Sequence, residues 1–341
     1  MRRWLAVVSL VPALVAGGSA RAVTVTGGSA RAVPVTGGPA RAVTTTGGSE
    51  PAVTGGSARA VPVTGGPARA VTTTGGWEPA VTGGRYVALG DSFTAGPFIP
   101  HRHGSPIACL RSDHNYPSLV ARMLQPASFT DVSCSAATTE DLSRSQSVLF
   151  GHNIPQLDAV TRDTTLVTIG IGGNDIGYSR IVLTCAAFSL VDHHGAPCAR
   201  YYGTTLDERI AATAPKVAAI LRAVHARAPR ARVLLVGYPR MLPSRTGCWP
   251  NVPTASGDIP FLDRFERRLN EMLAAEARLG DARFVDAYTT GRRHDMCSAD
   301  RWVEGILVKN PAAPVHPNAK GMQAVADRVL AVLGASRVSA G

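Results

Sequence analysis

The sequence lacks the features that would assign it to several common functional classes. No run of five or more Lys or Arg residues occurs in the 341 residues, although the formal net charge is +11. Basic residues scattered in this way are typical of a solvated surface with weak attraction for anionic envelopes or lipids, and they argue against a nucleic-acid partner. Beyond the N-terminal region, no segment approaches the roughly 20 apolar residues needed to span a bilayer.

Motifs for metals and phosphates are also missing. There is no C-x-x-C pair of the kind that binds zinc, and no Gly-rich phosphate motif opens a predicted helix. Two close histidine pairs, His101 with His103 and His193 with His194, lack matching carboxylates or thiols, so we interpret them as surface-loop residues and not as a metal site. We therefore expect neither a metal ion nor a cofactor.

The N-terminal region has the composition of an exported leader and a linker. Residues 1–22 combine a basic start, a short apolar stretch and small residues, which predicts a signal peptide; an uncleaved anchor is the alternative. Residues 23–84 contain a 28-residue segment twice, rich in Gly, Ala, Pro and Thr. Such a chain buries too little apolar surface to offset the entropy of ordering, so we expect a disordered linker. The protein is predicted to be secreted or associated with the cell envelope, with residues 85–341 as its folded domain.

Predicted strands and helices alternate along this domain. Short runs rich in apolar or β-branched residues predict strands, and stretches with a helical apolar period predict helices. The strands are expected at 86–90, 129–132, 166–169, 233–236 and 283–285, and the helices at 116–124, 155–157, 206–227, 261–279 and 319–333. This alternation predicts an α/β fold whose parallel sheet is covered on both faces.

The first predicted strand stops at Gly90-Asp91-Ser92. Because catalytic groups of open α/β sheets collect at the carboxyl ends of strands, Ser92 is the candidate nucleophile. The stretch is not a G-x-S-x-G nucleophile elbow, since Thr94 stands at the second Gly position. A β-turn in which Asp91 and Ser92 bond the local backbone is the alternative.

Three later segments accompany Ser92 in the order of a known family. They are Cys134–Thr139, Ile169–Asp175 and Val315–Gly321, which contain Ala136, Asn174 and His316. With Ser92, the set resembles the four blocks of the SGNH/GDSL hydrolases, and further segments around Cys109, Asn115 and His294 resemble their secreted actinobacterial lipase/esterase branch. The resemblance spans Tyr86 to about Leu333. It implies a three-layer α/β/α flavodoxin-like fold with a central parallel sheet, and hydrolysis of carboxylic esters, in this branch lipid or fatty-acyl esters.

The resemblance also implies a role for each matched residue. Ser92 would be the nucleophile and His316 the base, and the N–H groups of Ser92 and Ala136 with the Asn174 amide would form the oxyanion hole. A turn Asn in left-handed conformation is the alternative for Asn174. The family's usual Gly is replaced by Ala136, and its usual Asp, three residues before the His, by Ala313. We therefore expect a Ser–His dyad in which the Ala313 main-chain carbonyl orients His316.

Six cysteines in an exported chain predict disulfide bonds, with reduced buried thiols as the alternative. The sequence alone allows about fifteen connectivities. The resemblance implies sequential pairing, Cys109–Cys134, Cys185–Cys198 and Cys248–Cys297.

Two other functions are compatible with the sequence. The same residues would support a carbohydrate or cell-wall acetyl esterase, and the changes at Ala136 and Ala313 would fit a catalytically decayed envelope-binding protein. We expect a monomer that takes a small-molecule ester or lipid substrate, binds no nucleic acid and makes at most peripheral contact with a membrane or the cell envelope.

Overall fold

The computed structural model of the protein describes residues 83–334. The predicted signal peptide, nearly all of the predicted linker and the last seven residues of the chain lie outside this range. The strands are β1 (Arg85–Gly90), β2 (Ser128–Asp131), β3 (Gln146–Val148), β4 (Gly151–Asn153), β5 (Thr164–Gly170), β6 (Arg232–Val236) and β7 (Arg283–Val285). The helices are α1 (Ser92–Ala95), α2 (Tyr116–Leu124), α3 (Thr139–Ser143), α4 (Tyr178–Val191), α5 (Pro197–Tyr202), α6 (Thr205–Arg227), α7 (Ile259–Leu279), α8 (Ala287–Thr290) and α9 (Ala319–Leu333).

Five strands form a parallel sheet in the order β2-β1-β5-β6-β7, and β3 pairs with β4 in a separate antiparallel hairpin. The register sets Leu89 opposite Ile169 and Gly90 opposite Gly170, so β1 and β5 end level with each other. The chain leaves these two neighbours in opposite directions, toward β2 and toward β6. Such a switch point opens a crevice at the carboxyl ends of the strands.

The sheet is packed on both faces. Val87, Leu89 and Val167 lie in one buried cluster with apolar residues of α6 and α7. Tyr86, Ala88 and Leu166 lie in the other with α2 and α9. Because side chains of a strand alternate between faces, neighbouring residues of β1 serve different layers. The α/β/α fold with a central parallel sheet is confirmed.

The predicted elements agree with the structure except in the loops after β2 and β5. Helices α2 and α9 and strand β7 have the predicted bounds, and the other predicted strands and long helices differ by one or two residues at an end. The stretch predicted to open a helix at Pro155 is a 3₁₀ turn at Gln156–Ala159. Helix α4, the β3–β4 hairpin and the short helices α1, α3, α5 and α8 were not predicted.

The structure pairs the cysteines as Cys109–Cys134, Cys185–Cys198 and Cys248–Cys297, the pairing that the resemblance implies. Each bond joins segments that follow the carboxyl ends of the strands. Among residues 83–334, no helix combines the length and the apolar character needed to cross a membrane.

Candidate active site

Ser92 begins helix α1 directly beyond the end of β1 and is buried. The strand end is fixed by Gln156, whose Oε1 accepts from the Gly90 N–H at 2.8 Å and whose Nε2 donates to the Gly90 carbonyl at 3.0 Å. Gly90 has φ of 153°, and a Cβ there would lie 2.2 Å from Thr94 Oγ1. Any larger residue at position 90 would collide with Thr94, so the turn from β1 into α1 requires glycine.

His316 reaches Ser92 from the opposite end of the domain sequence. Its Nε2 lies 2.7 Å from Ser92 Oγ, across 224 residues of chain. It stands two residues before Asn318, whose side chain caps α9 by accepting from the Gly321 N–H at 3.1 Å. The structure thus brings the predicted nucleophile and base into hydrogen-bond contact.

The carbonyl that orients His316 belongs to Pro314, and the expectation of the Ala313 carbonyl is wrong. His316 Nδ1 lies 2.8 Å from the Pro314 oxygen, whereas the Ala313 oxygen accepts the backbone N–H of His316 at 3.2 Å. That backbone bond closes a four-residue turn, with Pro314 and Val315 in the middle and Val315 at φ 62°. The carbonyl of the first central residue is free of the turn's own hydrogen bond, and here it faces the imidazole.

The environment of His316 favours the neutral form of its imidazole. Burial lowers the pKa of His316, while the bond to the Pro314 carbonyl acts in the opposite direction and is the smaller effect. The Phe93 ring lies 4.8 Å from the imidazole, centre to centre. A neutral imidazole that donates from Nδ1 presents an acceptor at Nε2, which is the form required to take a proton from Ser92.

Asn174 follows β5 at the same sheet edge. Its Nδ2 donates one hydrogen to the Ala137 carbonyl at 2.8 Å, which leaves the second amide hydrogen available for another acceptor. Asn174 lines the same cleft as Ser92 and His316.

Ala136 lies between two anchored neighbours. Cys134 donates its N–H to the Gly90 carbonyl at 3.0 Å, and Ala137 accepts from Asn174. Ala136 has φ of 65° and is exposed, and it is not among the residues that line the cleft. Left-handed backbone at Ala costs about 1 kcal/mol or more, a cost that glycine at this position would avoid. Within residues 83–334, neither the Ala136 N–H nor the Ser92 N–H donates to a protein acceptor.

A buried hydrogen-bond chain joins the ends of β1 and β5. The Gly173 N–H donates to Tyr238 Oη at 2.7 Å, and Tyr238 Oη donates to Asp91 Oδ2 at 2.5 Å. Asp91 Oδ1 accepts the Phe93 N–H and so caps α1. Burial raises the pKa of Asp91 to about 7, although both hydrogen bonds oppose this effect. Asp91 therefore fixes the positions of Ser92 and Asn174 relative to each other.

The cleft beside Ser92 is apolar. It measures about 300 Å³, and Ser92, Asn174 and His316 supply polar groups at one side. Its remaining walls are mainly apolar or aromatic: Phe93, Tyr178, Val182, Leu183, Ile306, Pro314 and Val315. Tyr178, Val182, Ile306 and Val315 also border a smaller hollow behind the cleft. Such a cavity accommodates an apolar group next to Ser92.

The other candidate carboxylates and the close histidine pairs have partners outside the cleft. Asp295 accepts from the Cys297 N–H, and Asp300 pairs with Lys320 and His294. His193 and His194 contact each other near Trp249, and His101 contacts His114. Within residues 83–334, no group of three or more His, Cys, Asp or Glu residues is arranged to hold a metal ion.

The sequence did not predict four features of the site. They are the contact of the Pro314 carbonyl with His316, the hydrogen bonds of Gln156 to Gly90, those of Tyr238 to Gly173 and Asp91, and the apolar cleft walls from α4. The walls had one available signal, because the apolar stretch from Tyr178 to Val191 directly follows Asn174. The others had none, since they depend on backbone carbonyls and on contacts between distant segments.

The sequence resembles known lipases and esterases. The profile of the GDSL-like lipase/acylhydrolase family matches residues 88–324. Lipase 2 of Streptomyces coelicolor is 38% identical over 256 residues, which cover 73% of this chain and 85% of that protein. An esterase of Streptomyces scabiei is 31% identical over 296 residues, covering 72% of this chain and 86% of that protein.

Solved structures resemble the fold. Phospholipase A1 from Streptomyces albidoflavus superposes with a TM-score of 0.63 and 26% identity, covering 73% of this chain and 99% of that structure. The extracellular lipase from Streptomyces rimosus gives a TM-score of 0.59 and 27% identity, with the same shares covered.

Proposed function

The chain belongs to the GDSL-like lipase/acylhydrolase family and is a carboxylic ester hydrolase, and we propose that it cleaves fatty-acyl esters of lipids with Ser92 and His316. The observation that carries the proposal is the 2.7 Å contact between Ser92 Oγ and His316 Nε2 beside an apolar cleft. A hydroxyl in contact with a neutral imidazole is an activated nucleophile, and the cleft offers its acyl group an apolar environment.

In the first half of the reaction, Ser92 Oγ attacks the ester carbonyl while His316 Nε2 takes the hydroxyl proton. The imidazolium that forms donates from Nδ1 to the Pro314 carbonyl, 2.8 Å away. His316 then gives its Nε2 proton to the departing alcohol, and the acyl group stays on Ser92.

In the second half, a water molecule attacks the acyl-enzyme and His316 takes its proton. The carboxylic acid leaves as Ser92 Oγ recovers the proton from His316. A carbonyl cannot supply the negative charge of an Asp, so the pairing with Pro314 orients the ring and contributes less charge stabilisation than a triad.

We assign oxyanion stabilisation to the N–H groups of Ser92 and Ala136 and to the second amide hydrogen of Asn174. Support comes from the hydrogen bond between Asn174 and the Ala137 carbonyl, which fixes the amide plane and ties the Ala136 segment to it. Donors held in place before the reaction stabilise the developing charge without reorganisation.

An acyl chain in the cleft would contact Tyr178, Val182 and Ile306, with the smaller hollow behind them. Relatives named lipase and phospholipase A1 agree with such a substrate. The extracellular lipase of Streptomyces rimosus and the three disulfide bonds support secretion, with residues 1–22 as the signal peptide, residues 23–84 as a linker and a monomeric catalytic domain.

A chain-length series tests this function. We expect the secreted protein to hydrolyse p-nitrophenyl esters with a preference for medium or long acyl chains over acetate, and Ser92→Ala to abolish the reaction. A preference for acetylated xylan or peptidoglycan over every fatty-acyl ester would favour the acetyl esterase. No turnover of any ester by the correctly disulfide-bonded protein would favour the decayed binding protein.

A further inference from the structure

Exposed apolar side chains are concentrated on one side of the described domain. After each strand of the parallel sheet, a segment lies between the carboxyl end of the strand and the helix or 3₁₀ turn that returns the chain along the sheet. Some of these segments contain helices of their own. We call these five segments the strand-end face: 91–115, 132–155, 171–204, 237–258 and 286–318. Of the large apolar side chains that are exposed within residues 83–334, all but Met123 and Leu279 belong to this face. Single exposed apolar residues are ordinary on any surface, but a one-sided set marks a contact surface.

The apolar walls of the cleft continue onto this surface. Leu183 lines the cleft and is itself exposed, and Leu190 lies two turns farther along the same side of α4 with 71% exposure. Val191 ends the helix at 91% exposure. Across the cleft, Ile306 lines the wall and is followed by Leu307, which is 70% exposed. A substrate that reaches the cleft therefore passes an apolar border.

The β3–β4 hairpin adds a second apolar projection. Its two-residue turn is Leu149-Phe150, with Phe150 at φ 61° and 97% exposed. Two-residue hairpin turns favour Asn and Gly, because these residues adopt positive φ at little cost. Gln146 at the hairpin base donates to the Ser135 carbonyl at 2.9 Å, beside Ala136. An exposed Phe in strained backbone has no packing role in the described domain, so its position indicates contact with an outside apolar phase.

The net charge of the strand-end face indicates which type of lipid headgroup it would bind. The five segments contain as many Lys and Arg residues as Asp and Glu residues, although the whole chain carries a formal charge of +11. A face without net charge fits a zwitterionic lipid surface better than an anionic one, whose attraction for a protein depends on basic residues near the contact.

We propose that the strand-end face binds the surface of zwitterionic phospholipid through an apolar rim, which comprises Leu149, Phe150, Leu190, Val191, Leu307 and Val308. The rim inserts among the headgroups, and the cleft opens toward the lipid. The relevance of this contact rests on the proposed lipid-ester hydrolysis, but the binding itself requires no turnover. It can therefore be measured separately.

Sedimentation with phosphatidylcholine vesicles measures the binding. In a Ser92→Ala background, which prevents hydrolysis, Phe150→Asp, Leu190→Asp and Leu307→Asp should each weaken vesicle binding, and the triple variant by at least about tenfold. The matched control is Leu279→Asp, because Leu279 is 82% exposed but lies at the end of α7, outside the face. The control should bind as the parent does. With Ser92 restored, the rim variants should hydrolyse a dissolved short-chain ester within about twofold of the parent, since none of these residues lines the cleft.

Distinct results overturn the inference and the proposed function. Equal vesicle binding by the triple variant and the Leu279→Asp control would refute the rim. Binding confined to phosphatidylglycerol vesicles and abolished by salt would assign the contact to scattered basic residues. A concentration-dependent dimer that the triple variant dissolves, without vesicle binding, would make the face an interface between two copies. Failure of the parent to hydrolyse the dissolved ester would contradict the proposed function and leave the binding result to stand by itself.

Discussion

At the scale of single residues, the state of His316 controls the proposed reaction. Burial lowers its pKa, so the neutral form persists to lower pH than for an exposed histidine. We predict that kcat/KM for a neutral ester rises with pH to a plateau, with a midpoint below the ordinary value of about 6.5. Asp91, with its pKa raised to about 7, is the second group at the cleft that titrates in this range.

The Asp91→Asn variant separates the two groups, because Asn is also a good helix N-cap. A midpoint that stays below about 6.5 in this variant belongs to His316. A midpoint above about 6.5 in this variant would contradict the lowered pKa of His316.

In the proposed mechanism the Pro314 carbonyl orients His316, so no carboxylate is required for this role. Asp295 and Asp300 are engaged with Cys297, Lys320 and His294, and Asp286 caps α8 through the Thr289 N–H. Asp286→Asn, Asp295→Asn and Asp300→Asn should therefore each keep kcat within about tenfold of the parent, whereas loss of the Asp of a true triad costs about 10⁴. A loss of about 10³ or more in one variant, with an unchanged circular dichroism spectrum, would identify that residue as a triad member.

The residues with side-chain chemistry could be predicted, and the backbone contacts could not. Ser92, Asn174 and His316 stand in recognisable blocks. The identity of the orienting carbonyl depends on the turn at 313–316, where Val315 adopts φ of 62°. The Ala313 carbonyl was expected because Ala313 precedes Pro314 and is restricted to extended backbone. A β-branched residue rarely adopts positive φ, so nothing in the sequence indicated the turn that directs the Pro314 carbonyl at His316.

At the scale of elements, the carboxyl ends of β1 and β5 and the segment after β2 form the proposed oxyanion hole. Asn174→Ala should lower kcat by about 10²–10³ with little change in KM, because its amide acts on the developing negative charge. Ala136→Gly should be neutral or activating, since glycine relieves the backbone at φ 65° and keeps the N–H. An effect of Asn174→Ala on KM alone would assign this residue to substrate binding.

Gln156 joins the 3₁₀ turn at Gln156–Ala159, which follows the hairpin, to the end of β1. Its side chain satisfies both backbone groups of Gly90, and it is fully buried. Gln156→Leu should lower the free energy of unfolding by about 1–3 kcal/mol, because it leaves a buried N–H unpaired. Denaturant unfolding measures the change, with Gln323→Leu at a partly exposed position of α9 as control. A Gln156→Leu variant as stable as the parent would show that Gly90 finds another partner.

The elements that were predicted follow a regular apolar period, and those that were missed do not. Helices α2 and α9 have one buried apolar side and appear with their predicted bounds. Helix α4 is apolar on its buried side and on its outer side, since it separates the core from the cleft and the exposed surface. The β3–β4 hairpin has Leu149-Phe150 in place of the usual turn residues. Helix α4 and the hairpin both lie on the strand-end face, where the proposed lipid contact would account for their exposed apolar residues.

At the scale of the whole domain, the residues of the hydrophobic core and the residues of the candidate site lie in different parts of the fold. Helices cover the two faces of the sheet, and the loops at the carboxyl ends of the strands carry Ser92, Asn174 and His316. All three disulfide bonds connect segments of this same side. Cross-links restrict the unfolded chain and reduce the freedom of the long loops that position the site.

The alternation of strands and helices predicted this architecture, because a parallel sheet requires crossover helices on its faces. It could not predict the shape of the cleft. The walls come from α4, from residues 306–315 and from the loop after β6, whose relative positions depend on tertiary packing.

Covalent labelling with a fluorophosphonate tests the central claim most directly. Ser92 Oγ should form a bond to phosphorus as fluoride leaves, and mass spectrometry should find one adduct per chain on the peptide that contains Ser92. His316→Ala should slow the labelling by about 10² or more, because the hydroxyl loses its base, and Ser92→Ala should not be labelled. Labelling of another residue, or a Ser92→Ala variant that still hydrolyses esters at the parent's rate, would contradict the assignment of Ser92 and His316.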